Sequence, residues 1–447
     1  MISPWLGIIL VLTVLGFVMG GIKLYEKKYH PEPELPRKAV HVLMGCITLS
    51  FPWLFSEPWP VLLLGILAVG AMFTVRFMGS LKNSVGSVLY GVKRESLGEI
   101  YFPISVVILF CMANGDKILY SIPILMLTFA DSTAALIGSS YGRKNLASEK
   151  EDPKSPEGTF VFFVVAFMST LVPILLFTNI GRAETLLLSL IMGLLVALIE
   201  VISCNGNDNL LIPLLGYAFL VSHINLNVEK LKNSLIFITL LAIFAFYWNK
   251  RGSLSRLGVI GGLLITYIII ILGGWSWFFA PFALFITYSI LPSLTEEEKK
   301  QVMDYHIVTS NIAVGLLWVW LAAVTQMKEL FFYGFTCAFA CHLGMNTYIR
   351  LNYFKKYTEG KSMIISFIKA SAFILLPGVG LNYLNYGSML NIKSILLYAV
   401  SLLISIFAVS KLKKYMHYEI VDAGSGWVNA GIAFVLSGFI MLIRYFN

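Results

Sequence analysis

The chain has 447 residues, 58% of them apolar and 13% charged, and its mean hydropathy is +0.81. Long apolar runs recur with short polar gaps, which excludes a water-soluble globular domain and marks a polytopic helical membrane protein. The net charge of +9 does not mark a nucleic-acid binder, because the basic residues sit in short loops between apolar runs and set membrane topology instead. The five cysteines lie in or beside apolar runs and form no CxxC pair, so neither a disulfide framework nor a zinc site is indicated.

The predicted fold is all-α, a polytopic transmembrane helical bundle of about sixteen spans in two halves. In chain order the apolar runs cover 5–24, 39–55, 59–77, 101–113, 118–138, 159–177, 185–201 and 210–224 in the first half. The second half has 235–248, 257–272, 275–291, 307–324, 330–348, 363–377, 394–410 and 428–443. The first run lacks a preceding basic region and a small-residue cleavage site, so it reads as a retained span. With the loop after that span on the cytoplasmic side, and alternation from there, 25 of the 33 Lys and Arg residues fall inside. The N-terminus is then expected outside.

Four polar clusters precede residue 210, and this topology puts all of them on the cytoplasmic side. The first is Arg37-Lys38 with His41 one turn further on, and the second runs from Gly98-Glu99 to Pro103. The third is the stretch from Asp131 to Thr159, and the fourth is Glu200 followed by Asn205-Gly206-Asn207-Asp208-Asn209. A single site facing the cytosolic nucleotide pool would gather its acids in this way. The apolar positions between the clusters, mostly Leu, Ile, Val and Phe, carry no chemical signal of their own.

The third cluster organises the rest. Asp131 stands inside an apolar run, where a carboxylate costs a few kcal/mol unless it is paired or metal-bound. Asp131, Ala135, Gly138 and Gly142 fall near one helical face, acidic at one end and nearly bare beyond, which suits close approach of a phosphate. Lys154-Ser155-Pro156-Glu157-Gly158-Thr159 closes the stretch. Lys154 brings a point charge for phosphate and Glu157 a hard oxygen ligand of the kind Mg²⁺ prefers.

The first half thus offers Asp131, Glu157, Asp208 and Glu200 as metal ligands, with Lys154, Arg37 and Lys38 as phosphate partners. Phosphoryl transfer needs positioning and charge neutralisation and no covalent nucleophile, so a missing Ser-His-Asp arrangement is no objection. Glu99 and His41 are candidates for proton transfer. Asn207 and Asn209 flank Asp208 in a turn suited to a base or sugar. No GxxxxGK[ST] loop and no protein-kinase signature occurs, so the transfer would run on another architecture.

A stretch at 228–255 connects the halves, with polar residues near 228–234 and Asn249-Lys250-Arg251 beyond a short apolar run. The second half, 256–447, has no intramembrane acid pair. Its polar features are His342 beside Cys341, Asn346, Lys369, and the segment from Asp422 to Asn429, which read as packing or turn features.

Residues 30–225 resemble the phytol kinase and dolichol kinase family, which is related to the membrane-embedded phosphatidate cytidylyltransferases. The resemblance is carried by Arg37-Lys38 with His41, Gly98-Glu99 with Tyr101 and Pro103, Asp131-Ser132 with Ala134, Gly138 and Gly142, the Lys154–Thr159 segment, and Glu200 with Asn207-Asp208-Asn209 and Pro213. The combination is specific where each motif alone is weak. It implies phosphorylation of a long isoprenoid alcohol of phytol, geranylgeraniol or dolichol type, with CTP as donor and Mg²⁺ as cofactor. It puts Asp131, Lys154, Glu157 and Asp208 at nucleotide and metal, with Ser132, Gly138, Gly142, Ser155, Gly158 and Thr159 in the same pocket. The second half faintly resembles the phytyl phosphate kinase family through Gly258–Gly274-Trp275, Tyr288-Ser289 and the Glu296–Lys300 loop. It departs where Ala340–Asn346 replaces an acidic motif and where Thr358-Glu359-Gly360-Lys361 stands in place of a Gly-rich one, which leaves a degenerate partner domain or an unrelated one, with a bifunctional enzyme that makes the diphosphate as the lesser reading. The competing readings are a lipid cytidylyltransferase, which would release diphosphate, and a transporter, whose carboxylates would cluster near the bilayer midplane.

Overall fold

The computed structural model describes residues 3–32, 34–77, 97–142, 154–247, 256–289, 305–354, 356–387, 392–412 and 423–446. Among them the regular structure is helical throughout. Two compact units divide the chain, Met1–Leu240 and Leu241–Asn447. Their division falls inside the stretch 228–255 set apart by composition. Residues 248–255, the basic loop 143–153, the Glu296–Lys300 loop and Asp422 lie outside the described residues.

The first unit holds α1 (Pro4–Tyr29), α2 (Glu34–Leu49), the short α3 (Phe51–Leu54), α4 (Pro58–Phe77), α5 (Gly98–Ala113), α6 (Lys117–Tyr141), α7 (Pro156–Phe177), α8 (Arg182–Ile202) and α9 (Asp208–His223). Local chemistry sets several of the breaks. Pro52 has no N–H to give the Thr48 carbonyl, so α2 stops and the short α3 follows. The orphaned Thr48 carbonyl is taken up by the Tyr120 hydroxyl of α6 at 2.9 Å, which ties the two helices together. Asn114 and Gly115 turn the chain with positive φ. Asp116 then caps α6, its Oδ1 accepting from the Ile118 and Leu119 amides at 2.9 and 3.0 Å. Pro123 removes a further helical hydrogen bond, and a π-helical turn follows at Met126–Ala130, immediately before Asp131.

The helix α10 (Val228–Tyr247) contains the division point. The second unit continues with α11 (Arg256–Gly273), a 3₁₀ turn at Trp275–Phe278, α12 (Phe279–Ser289), α13 (Tyr305–Thr325), α14 (Lys328–Tyr353), α15 (Glu359–Tyr386), α16 (Ile392–Leu412) and α17 (Ala423–Phe446). It is built around α14, whose residues from Phe332 to Ile349 are all buried. Trp277 packs on Phe332 and Phe335 with ring centroids 5.1 and 4.8 Å apart. Asn346 of α14 donates to Asn311 of α13 at 3.1 Å and accepts from Asn429 of α17 at 3.4 Å.

Among the described residues nine helices are long and apolar enough to cross a membrane. The expected count of about sixteen spans is not reached by that measure. The remaining predicted spans are helical, but α2, α5 and α9 have only 16 residues each. Helix α14 has 26 residues and is more polar, with Lys328, Glu329 and Arg350 at its ends. Its protein-buried middle needs no lipid-facing apolar surface. The predicted run 363–377 is the middle of a longer helix, Glu359–Tyr386.

Candidate active site

The site is assembled in the first unit by helices that approach closely where side chains are small. Helix α2 meets α6 at Gly45, where a Cβ would lie 2.1 Å from Thr128 Oγ1. That approach brings Lys38 to Asp131, with Nζ donating to Oδ2 at 2.7 Å, and both side chains are buried. His41, one turn along α2, has Nε2 3.0 Å from the Leu127 carbonyl and 3.6 Å from Asp131 Oδ2. A carbonyl oxygen only accepts, so Nε2 carries the hydrogen and the imidazole stands with its N–H edge toward the acid.

On the other side of Asp131, α6 packs against the start of α7 with almost nothing between the backbones. A Cβ on Gly158 would lie 2.9 Å from the Ala134 carbonyl, and one on Gly142 would lie 2.8 Å from Ser155 Cβ. Ser155 caps α7, its hydroxyl accepting from the Gly158 amide at 3.1 Å. This anchors Lys154, whose Nζ pairs with Glu200 Oε1 of α8 at 2.7 Å. Thr159 Oγ1 stands 3.5 Å from Glu200 Oε2.

The fourth cluster is a turn with positive φ at Asn205 and Gly206. Asn207 Oδ1 accepts from the Cys204 amide at 3.0 Å, and Asp208 Oδ1 accepts from the Asn209 amide at 2.9 Å. The Asn205 carbonyl accepts from the Leu97 amide at 3.1 Å, fixing this turn beside the start of α5. There Glu99 pairs with Arg76 of α4 at 2.8 Å. Arg37 is tied to Glu34, Nε to Oε2, at 3.1 Å.

These groups share one cavity of about 890 Å³. Its charged end is lined by Arg37, Lys38, His41, Glu99, Asp131, Lys154, Glu200 and Asp208. Its other arm runs between α1, α2, α4 and α5 over side chains such as Val11, Met44, Val61, Leu64 and Val106, and reaches Phe51. The charges act on one another: Asp131 feels Lys38, His41 and Lys154, while Glu200 feels Lys154, Asp131 and Asp208. Burying Lys38 with Asp131, and Lys154 with Glu200, costs desolvation that an apolar pair would avoid, so such pairs are weak evidence for stability alone.

The structure therefore brings Asp131, Lys154, Asp208, Glu200, Glu99, Arg37, Lys38, His41, Gly138, Gly142, Ser155, Gly158, Thr159 and Asn209 onto one cavity wall. Glu157, Ser132 and Asn207 are not on that wall. Glu157 Oε2 and Ser132 Oγ are buried and have no hydrogen-bond partner among the described residues, and Asn207 Oδ1 is spent on its own turn. Lys38 and Lys154, expected as phosphate partners, are each held by a carboxylate. Glu34 lines the cavity and was missed, although its spacing of three from Arg37 signals the pair. The apolar lining was missed as well, because Leu, Val and Met facing a cavity read in sequence like those facing lipid.

Among the described residues no group of three or more His, Cys, Asp and Glu side chains forms a ready-made metal cage. Mg²⁺ does not need one, since it is commonly held by one or two carboxylates together with substrate phosphates and water. Asp208 and Glu200, both lining the charged end, fit that requirement.

No protein-family model and no solved structure matches the chain. Over 215 residues it is 28% identical to a phytol kinase of Synechocystis sp., a match that spans 47% of this chain and 88% of that protein. That similarity to a phytol kinase covers about half of this chain.

Proposed function

We propose that this chain, a relative of phytol kinase, phosphorylates an isoprenoid alcohol of phytol, geranylgeraniol or dolichol type, taking the γ-phosphoryl group of CTP in the presence of Mg²⁺ at the cytoplasmic face. The observation that carries this reading is a single cavity with paired charges at one end and an apolar arm at the other. A lipid alcohol is amphipathic in the same sense, and its hydroxyl would lie where the two surfaces meet. His41 and Asp131 stand near that junction, because Met44 already belongs to the apolar arm.

In the transfer, the alcohol oxygen forms a bond to the γ-phosphorus, the bond from that phosphorus to the β–γ bridging oxygen breaks, and CDP leaves. The hydroxyl proton passes to Asp131, whose carboxylate is held in place by Lys38. Lys154 and Arg37 turn toward the triphosphate and offset its charge, with Glu200 fixing Lys154 until the nucleotide arrives. Mg²⁺, held by Asp208 and Glu200, would supply charge neutralisation on the β- and γ-phosphates. The positive-inside count supports the cytoplasmic placement and an outside N-terminus.

The test is product analysis after incubating the purified protein with Mg²⁺, CTP or ATP, and an isoprenoid alcohol. Alcohol phosphate plus CDP is the expected outcome. CDP-lipid plus diphosphate would replace this reading by a cytidylyltransferase, and metal-dependent flux without nucleotide turnover would replace it by a transporter. Sidedness is read by labelling single cysteines placed at Glu32 and Glu57 in intact and opened cells, with Glu32 expected inside.

A further inference from the structure

The cavity of the first unit has an open side. Leu12 of α1 and Leu67 of α4 both line it, yet they are 44% and 47% exposed. Ala71, one turn past Leu67, also lines it and is exposed. A side chain that faces the cavity and the outside together stands at an opening. The two helices begin side by side, since Trp5 and Trp59 pack with ring centroids 5.1 Å apart. Leu12 is seven residues beyond Trp5 and Leu67 eight beyond Trp59, so each lies about 10–12 Å along its helix at 1.5 Å per residue. Past the tryptophans each helix is held by a different neighbour. Helix α1 packs on α2 through Ile22 and Val40, and α4 closes on α5 where Gly65 leaves room for Val107. The cavity follows the boundary between α1 and α4 past Leu15 and Met19 on one side and Met72 on the other. One turn after Met72, Arg76 meets Glu99 at the charged end. Residues 5–22 and 58–75 carry no charge, and both helices are long and apolar enough to cross a membrane, so the opening faces hydrocarbon.

We propose that the opening between α1 and α4 is the door through which the isoprenoid alcohol enters from the bilayer, and that the far end of its tail stays in lipid while the hydroxyl reacts. The inference rests on the kinase reading above. An alcohol of this kind lies in a bilayer with its tail among the acyl chains. It slides hydroxyl-first along the α1–α4 boundary to the charged end, and no part of the tail crosses water on the way. Isoprene units that remain outside the door touch no wall of the protein, so adding more of them costs nothing.

The experiment ties the two edges of the door together. The full chain carrying Leu12→Cys and Leu67→Cys is treated in membranes with a bifunctional thiol reagent that reduction removes. Both single variants and wild type, which has five cysteines of its own, are treated alike. Measured with Mg²⁺ and nucleotide, kcat/KM is compared for a four-unit alcohol, an eleven-unit alcohol and a water-soluble one-unit alcohol. Cross-linking lowers kcat/KM for both lipid alcohols at least tenfold, reduction restores it, and the one-unit alcohol stays within threefold. Before cross-linking, the four-unit and eleven-unit alcohols agree within fivefold. Unchanged use of the lipid alcohols by the cross-linked protein overturns the door. So does an equal loss for all three alcohols, or a tenfold preference for either length before cross-linking. A second measurement needs no turnover: a four-unit alcohol with a photoreactive group in its second isoprene unit is irradiated with the wild-type protein in bilayers. Label on residues 12–19 or 67–72 that plain alcohol competes away is expected, and competed label confined to other helices overturns the door. If no alcohol phosphate forms from any alcohol, the kinase reading falls, whereas competed label at these residues still supports the door.

Discussion

Unit 1 and unit 2 both bury polar side chains between helices, but the groups differ in kind. In the first, Lys38 with Asp131 and Lys154 with Glu200 are opposite charges from separate helices, and all four line a cavity. In the second, the buried polar row is the neutral carboxamide series Asn311, Asn346 and Asn429, set among aromatic rings around α14. His342, one turn from Asn346, is buried, and among the described residues neither ring nitrogen has a hydrogen-bond partner. Carboxamides hold helices in register at modest cost, whereas buried ions are expensive and are kept where something uses the charge. On the proposed function, the chemistry belongs to the first unit, and the neutral polar row of the second is packing.

The largest expected effect comes from Asp131→Asn. It removes the proposed proton acceptor and should lower kcat/KM by about 10³-fold. It also leaves Lys38 buried without its counter-charge, a loss of about 3–5 kcal/mol in unfolding experiments. The double variant Lys38→Met, Asp131→Leu separates the two roles: stability should return toward wild type while activity stays lost. If the double variant were active, the buried charges of the first unit would be structural and the contrast would fail.

Next in size is Glu200→Gln. Lys154 loses the negative charge of Glu200, and the proposed magnesium site loses one carboxylate, so the expected drop is about 10²-fold in kcat/KM, with a rise in the Mg²⁺ concentration for half-maximal rate. An unchanged Mg²⁺ dependence would remove Glu200 from the metal site. Smaller again is Asn346→Leu in the second unit. It strands Asn311 and Asn429, so about 1–3 kcal/mol of stability should go, while kcat/KM stays within twofold of wild type. A tenfold loss of activity at wild-type stability would assign the second unit a part in the chemistry.

Much of the first unit was legible in sequence because its chemistry is written in rare residues. Acids and lysines inside or beside apolar runs are conspicuous, and the glycines at 138, 142 and 158 sit where α6 and α7 touch. What stayed hidden was which charge meets which. Lys38 and Asp131 are 93 residues apart, and nothing local states that they pair. Glu157 shows the reverse error, since it has the right chemistry in the right segment yet its helical position turns it off the cavity wall. The helical class was legible from composition. The span count was not, because a 16-residue helix and a 26-residue helix both read as one apolar run.

The smallest expected effect concerns Glu99, which was read from sequence as a catalytic group. In the structure it lies in the first turn of α5, with Oε1 taken by Arg76 Nη1 at 2.8 Å, and lines the charged end of the cavity. Its location still matters, because the same turn of α5 holds the Asn205 carbonyl through the Leu97 amide and so helps place Asp208. If Glu99 acts through position alone, Glu99→Gln should keep the hydrogen bond from Arg76, leave the unfolding temperature within a few degrees, and lower kcat/KM by less than about tenfold, mainly through KM. Arg76→Met should produce the same modest change, and the double variant no more than either, since the two residues then belong to one contact. A fall in kcat of a hundredfold for Glu99→Gln, without the same fall for Arg76→Met, would bring Glu99 into the chemistry beside Asp131.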